Sequence, residues 1–175
     1  MKMDSFNNWL ASYLQQNVSE VSKLTENQFA MEFLMTWSIF ESDCFNGFCK
    51  MGIIPVFSKK LAATEKNYPT TFPELAKCFH KRYQSKKKYS NLVHGKKIPD
   101  LEKILAKEIK DLNREDEVYL LLVVVYRYRN NMFHGNKNVA SWLQYEKQIR
   151  RCTTIMQNLI DISETSHYKR TQMTP

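Results

Sequence analysis

The sequence predicts an all-α fold, an up-and-down helical bundle of five or six helices in a single domain over residues 1–175. Apolar residues recur at three- and four-residue steps along most of the chain, which is typical of amphipathic helices. The chain has only 4 Gly and 5 Pro, too few for the many tight turns of an all-β protein. Hydrophobic residues make up 43% of the 175 residues, enough for a sizeable core.

The N-terminal part of the chain predicts two helices. The first covers residues 5–24, where aromatic and aliphatic residues follow a helical period. Thr25 and Gln28 have the spacing of a capping box, so a second helix should begin at Thr25. It should run to about Asn46, because Gly47 is a typical residue just beyond a helix end.

The middle of the chain is less regular. Residues 50–70 contain two prolines and predict no long element. A shorter helix is expected over 72–84, with Pro73 in its first turn, and another over 99–112, opened by Pro99. The segment between them, 86–98, is basic and short of apolar groups, and we expect it to be a loop.

A buried central helix is predicted to follow Asn113. Asn is a good N-cap, and three acidic residues in the next turn favour the positive end of a helix. The apolar run 118–126 has strand propensity, but with this cap it predicts a helix that is surrounded by other helices. Gly135 should end it. A last helix is expected over 139–164, followed by a flexible tail over 166–175.

The positive charge of the chain is local. The formal net charge is +8, yet residues 59–97 alone carry eleven Lys or Arg and two Glu. This favours a polyanionic partner such as a nucleic acid or an anionic surface. For a nucleic acid such as RNA, the expected backbone contacts are the lysines that flank one stacking tyrosine: Lys86, Lys87, Lys88, Tyr89, Lys96 and Lys97. The alternative is a lysine-rich loop that is merely solvated.

Other classes of site have little support in the sequence. The four cysteines do not have the spacing of a zinc module, and no glycine-rich phosphate loop exists, so we expect no metal and no cofactor. The longest apolar run has nine residues, about half of a membrane span, and the first residues include no apolar signal region. We therefore expect a cytoplasmic protein with reduced thiols that does not enter a membrane.

The clearest chemical signal is an arginine followed by four residues and a histidine, Arg129 to His134, at the end of the apolar helix. A guanidinium can neutralise a phosphate and an imidazole can move a proton. On one helix, Asn130 and His134 share a face, whereas Arg129 points roughly 140° away from His134. One copy therefore makes a poor clamp, and we expect a homodimer in which two copies share one cleft. The alternative is that His134 is an ordinary residue of a helix end.

Arg129, Asn130 and His134, closing an apolar helix of a small helical bundle, resemble the motif of the HEPN superfamily, arginine and then histidine after four to six residues. The resemblance in helix order covers about residues 25–163, and its specific part is residues 129–134. It implies a metal-independent endoribonuclease in which the histidine transfers a proton and the arginine stabilises the charge on the phosphate. Asn130 would orient the histidine or the phosphate. Glu41 resembles an acidic position on an upstream helix that would brace Arg129; the alternative is a helix-edge glutamate whose carboxylate reaches water.

The resemblance also implies a biological role and partners. Members often act as toxins or prokaryotic defence effectors, so RNA, a second copy and an antitoxin or regulatory protein are the expected partners. Some members are modified by their antitoxin on a tyrosine two residues after the histidine. Here that residue is Asn136, so this form of control is not expected. The alternative function is a non-catalytic HEPN-like module that binds RNA, a nucleotide or a protein.

Overall fold

A computed structural model describes the backbone of residues 2–64, 68–133 and 143–171, and the side chains of residues 5–64, 68–132 and 143–162. Within these ranges the fold is all-α, as predicted. The helices are α1 (Lys2–Leu14), α2 (Val18–Thr25), α3 (Phe29–Phe45), α4 (Ile54–Ala62), α5 (Phe72–Tyr83), α6 (Lys86–Val93), α7 (Pro99–Ala106), α8 (Arg114–Phe133) and α9 (Glu146–Thr171). These helices outnumber the five or six that the sequence predicts.

Helix α8 is the centre of the bundle, as its apolar sequence predicts. Helices α4, α5, α6, α7 and α9 pack against it, and α3 packs along α9. The run 118–125 is buried on every side. Its helical state begins at the expected cap: Asn113 Oδ1 accepts from the Asp116 amide at 2.9 Å, and the Asp116 carboxylate accepts from the Asn113 amide at 3.2 Å. This reciprocal cap and the surrounding helices outweigh the strand propensity of the run.

The end of α3 is also as expected, but its start is not. Asn46 adopts the left-handed conformation (φ 52°), and the Gly47 amide donates to the Glu41 carbonyl at 2.9 Å, which closes the helix end. Thr25, however, belongs to α2, and the predicted capping box with Gln28 is wrong. The Thr25 hydroxyl donates instead to Asn7 Oδ1 at 2.9 Å, because this buried amide offers a long-range acceptor.

The first predicted helix is two helices. Gln15 has a positive φ of 53°, which breaks residues 5–24 into α1 and α2. The pair has a small core of its own around Leu10, Ala11 and Val21, separate from the main core. The outer face of α1 exposes a row of aromatic rings, in which Phe6 and Trp9 lie 5.7 Å apart and Trp9 and Tyr13 5.8 Å apart.

The predicted loop over 86–98 is wrong for its first eight residues, which form α6. The three lysines at its start concealed a helical pattern of apolar residues. Leu92 and Val93 are buried, and half-buried Tyr89, three and four residues earlier, donates its hydroxyl to Glu102 Oε1 of α7 at 3.0 Å. Residues 94–98 do form the connection to α7.

Three further elements differ from the sequence prediction. Residues 50–70 contain α4, which has Pro55 in its first turn, whereas the helix predicted over 99–112 is shorter, with α7 followed by a 3-10 turn at Ile109–Asp111. Helix α9 begins later than predicted and continues to Thr171. The stop at Gly135 and the start at Val139 lie outside the described residues, as do residues 172–175 of the expected tail.

Candidate functional site at the end of helix α8

The last two turns of α8 place polar side chains on three sides of the helix, directly after its apolar run 118–125. Arg127 and Asn131 point towards α6, Tyr128 lines a cleft beside them, and Arg129 lies against α3. His134, the predicted proton-transfer residue, lies outside the described residues, so the site consists of its upstream part. Each side has a different chemistry.

Arg129 lies over the indole of Trp37 on α3. Its guanidinium carbon is 5.4 Å from the ring centroid, which is cation–π distance, and its Nη1 donates to Asn130 Oδ1 at 3.1 Å. Both side chains are half-buried. The structure therefore brings together two of the predicted catalytic residues, Arg129 and Asn130, with the cation held in a defined orientation by an aromatic face.

Glu41 contacts the other edge of the same indole. Its Oε2 accepts from Trp37 Nε1 at 3.0 Å, and its Oε1 accepts from the backbone amide of Cys49 at 3.0 Å. The carboxylate is thus held in place by two neutral donors and not by water alone. Its link to Arg129 runs through the indole that they share, which is a less direct arrangement than the brace that the sequence suggested.

The thiol of Cys49 reports the electrostatics of this corner. Burial raises the pKa of Cys49 to about 12, the carboxylate of Glu41 and the neighbouring Cys44 add to the rise, and the Arg129 cation opposes it. Cys49 is therefore almost entirely protonated at neutral pH, and only a very small fraction is present as the reactive thiolate. Because both Glu41 and Arg129 change the pKa of this one thiol, their charges lie close to the same point of the site.

Arg127 and Asn131 are committed to the end of α6. Arg127 donates through Nε to the Leu92 carbonyl at 3.1 Å and through Nη2 to the Val93 carbonyl at 2.8 Å. The Asn131 amide donates to the Leu92 carbonyl at 3.0 Å, and burial lowers the pKa of Arg127. These side chains satisfy the last carbonyls of α6, which have no partner within their own helix. Sequence reasoning missed both, although their spacing of four residues places them on one face of α8.

A cleft of about 290 Å³ lies between α5, α6 and α8. Its described lining is basic and aromatic, and none of the described residues in it carries a carboxylate: Arg82, Tyr83, Lys87, Lys88, Asn91, Leu92, Tyr128, Asn131 and Tyr145. Tyr83 and Tyr128 are buried, and burial raises the pKa of Tyr128 to about 12, so its hydroxyl is neutral at physiological pH. The ring of half-buried Tyr145 meets Tyr128 edge-on at 6.3 Å.

Two of the six predicted RNA contacts, Lys87 and Lys88, line this cleft. Lys86, Lys96 and Lys97 are exposed but are not part of its lining, and Tyr89 lies against α7, where its hydroxyl is already bonded. Sequence reasoning missed Arg82 and the three tyrosines. Their chain positions, two on α5, one on α8 and one before α9, share no local pattern that would have connected them.

Comparison of the chain with protein-family models, curated proteins and solved structures finds no significant match. Among the described helices, none has both the length and the apolarity that crossing a bilayer demands. The residues at the end of α8 and in the cleft are therefore the grounds on which a function has to be argued.

Proposed function

We propose that this protein is a metal-independent endoribonuclease of the HEPN type that acts as a homodimer, in the role of a toxin or prokaryotic defence effector. The observation that carries the proposal is the pairing of Arg129 and Asn130 on the face of Trp37, at the end of the central helix and directly upstream of His134. An arginine that only stabilised the fold would be expected to bond buried carbonyls, as Arg127 does.

The chemistry assigned to these residues balances without a metal ion. His134 takes the proton of a ribose 2′-OH, whose oxygen attacks the adjacent phosphorus, and the bond to the 5′ oxygen of the next nucleotide breaks. The products are a 2′,3′-cyclic phosphate and a 5′-OH end, the leaving oxygen taking up a proton. Arg129 stabilises the negative charge that builds on the phosphate oxygens, and Asn130 orients its guanidinium.

The decisive experiment is digestion of a labelled RNA by the purified full chain in EDTA. We expect products with cyclic-phosphate ends and a loss of at least 100-fold in rate for His134→Ala, the usual scale for a general acid–base residue. His167→Ala, which removes a histidine from the C-terminal part of α9, is the matched control and should cleave normally.

The assembly provides a second readout. Light scattering after size exclusion should give a dimer for the wild type and for His134→Ala, so that loss of cleavage is not loss of assembly. Equal cleavage by His134→Ala and the wild type would remove the histidine from the mechanism and end the nuclease proposal.

A second candidate function is a non-catalytic module that binds RNA, a nucleotide or a protein. The basic cleft favours it, because Arg82, Lys87 and Lys88 bring three cations together without a carboxylate in the lining. This alternative predicts salt-dependent RNA binding and intact RNA after prolonged incubation.

A further inference from the structure

The cleft beside Tyr128 holds positive charge that no ion pair among the described residues neutralises. Neither Lys87 nor Lys88 forms an ion pair with any described residue, and Arg82, which forms none either, has its guanidinium carbon 6.0 Å from the ring centroid of Tyr83. Cations that converge on a concave surface without carboxylates favour an anionic ligand.

A buried polar atom in the cleft wall points to the same conclusion. Nε of Arg82 is shielded from solvent without a hydrogen bond to the described residues, whereas the hydroxyl of buried Tyr83 has that of Tyr128 beside it. Buried donors almost always have a partner, and a ligand with several acceptor oxygens would supply one.

The first turn of α6 is a third indication. Lys86, Lys87 and Lys88 are consecutive at the positive end of this helix, where like charges repel each other and oppose the helix dipole. A bound anion would relieve both effects. The arrangement therefore reduces the stability of the empty protein at a place where a phosphate would restore it.

The size and the aromatic lining decide between a bare anion and a larger ligand. A volume of about 290 Å³ is near the lower end of the usual range for small-molecule sites, roughly 300–1,000 Å³. The half-buried Tyr145 belongs to the same lining as the cations, and aromatic rings are the side chains on which nucleic-acid bases stack.

We propose that the cleft between α5, α6 and α8 binds one nucleotide unit, with its phosphate at Arg82, Lys87 and Lys88 and its base against Tyr145. The inference rests on the proposed function, which makes RNA the natural source of that nucleotide. The cleft and the proposed catalytic residues are close together, because Tyr128 in the cleft wall directly precedes Arg129. A strand anchored here would be held beside the end of α8 that carries Arg129 and Asn130.

Binding is measured apart from cleavage. Fluorescence anisotropy with a labelled single-stranded RNA whose 2′-hydroxyls are methylated gives the affinity without the attacking group. The variant is Lys87→Gln with Lys88→Gln, and the matched control is Lys59→Gln with Lys60→Gln, which removes two exposed adjacent lysines from α4. We expect the cleft variant to bind at least tenfold more weakly and its slope of log K against log salt to fall by about 1.4, whereas the control stays within twofold.

Single substitutions test the two ends of the ligand. Arg82→Gln should weaken binding about tenfold and its exposed neighbour Lys81→Gln should not, while Tyr145→Ala should cost about tenfold through lost stacking. Calorimetry with AMP and UMP separates the sources of the nucleotide. If the mononucleotides bind and Arg82→Gln abolishes this binding, the ligand of the cleft is a free nucleotide. If only the oligonucleotide binds, the ligand is an RNA strand.

Equal losses in the cleft and control variants would overturn the cleft as a site, because the lysines would then act only through net charge. Unchanged RNA binding in the cleft variant together with normal cleavage would also overturn it, and would leave the nuclease proposal standing. If the cleft variant loses RNA binding but the wild type never cleaves the unmethylated RNA, the cleft stands as a binding site and the nuclease proposal is contradicted.

Discussion

Arg127 and Arg129 lie two residues apart on the same helix, and their surroundings differ completely. Arg127 is buried and bonds two backbone carbonyls at the end of α6. Arg129 is half-buried, lies over an indole and donates to a neighbouring side chain. Both precede His134 at a spacing compatible with the HEPN-type motif, so sequence alone does not say which arginine serves the fold.

The difference shows how one helix separates stability from function. A step of two residues turns a helix by about 200°, so two neighbouring arginines face opposite elements. On the face towards α6, Arg127 and Asn131 donate their hydrogen bonds to backbone carbonyls of α6. The face towards α3 holds the Arg129 cation over the ring of Trp37, and this contact defines the position of the guanidinium.

The largest expected effect is on stability when Arg127 is replaced. Arg127→Met keeps the aliphatic stem and removes two charge-assisted hydrogen bonds from a buried site, which should cost about 3 kcal/mol of unfolding free energy. The Leu92 and Val93 carbonyls keep the amides of Asn131 and Lys96 as their remaining donors. Arg129→Met should cost only about 1 kcal/mol, the scale of its cation–π contact, and should abolish RNA cleavage. Urea unfolding at neutral pH measures both. Equal losses of stability would show that the two arginines are not divided in this way.

The neighbouring asparagines give a smaller version of the same contrast. Asn131 is fully buried and donates to two carbonyls of α6, so Asn131→Ala should cost about 2 kcal/mol. Asn130 is half-buried and only accepts from Arg129, so Asn130→Ala should cost less than about 1 kcal/mol. The rate of RNA cleavage should show the reverse order. Asn130→Ala should lower this rate more than Asn131→Ala does, because Asn130 orients the guanidinium of Arg129. A stability loss for Asn130→Ala as large as for Asn131→Ala would contradict the assignment.

Local signals account for the elements that sequence reasoning predicted well. The cap at Asn113 and the apolar run 118–125 define α8, and the left-handed residue Asn46 with Gly47 ends α3. Helix α6 was missed because its stability depends on a tertiary contact. Its lysines disfavour the first turn, and its last carbonyls are satisfied from Arg127, more than thirty residues away.

The candidate site follows the same division. Arg129 and Asn130 were predicted because they are adjacent in a short motif. The cleft was not, because Arg82, Lys87 and Tyr128 meet only after α5, α6 and α8 have packed. Even Tyr89, which the sequence predicts as a stacking residue, donates its hydroxyl to Glu102 instead of lining the cleft. Side chains that a fold brings together from separate helices leave no mark in the spacing along the chain.

The smallest expected effect concerns the Arg129 side alone and uses Cys49 as the probe. After burial, Glu41 is the main cause that raises the pKa of this thiol, and Arg129 lowers it. Glu41→Gln removes the negative charge and keeps one acceptor oxygen for its two donors, Trp37 and the Cys49 amide. It should lower the pKa of Cys49, so the thiolate fraction at a given pH rises and alkylation by iodoacetamide becomes a few times faster. Arg129→Met should slow it, because the opposing cation is gone.

The readout is the alkylation rate of each cysteine by mass spectrometry between about pH 7 and 9.5, well below the pKa of about 12, where the rate rises with the thiolate fraction. Fully buried Cys152 is the internal control, because general opening of the protein would speed its reaction too. Asp43→Asn removes a carboxylate from the same helix α3 and should change neither rate. If Glu41→Gln and Arg129→Met moved the Cys49 rate in the same direction, the carboxylate and the guanidinium would not act on one corner of the site, and the division between the two faces of α8 would lose its electrostatic basis.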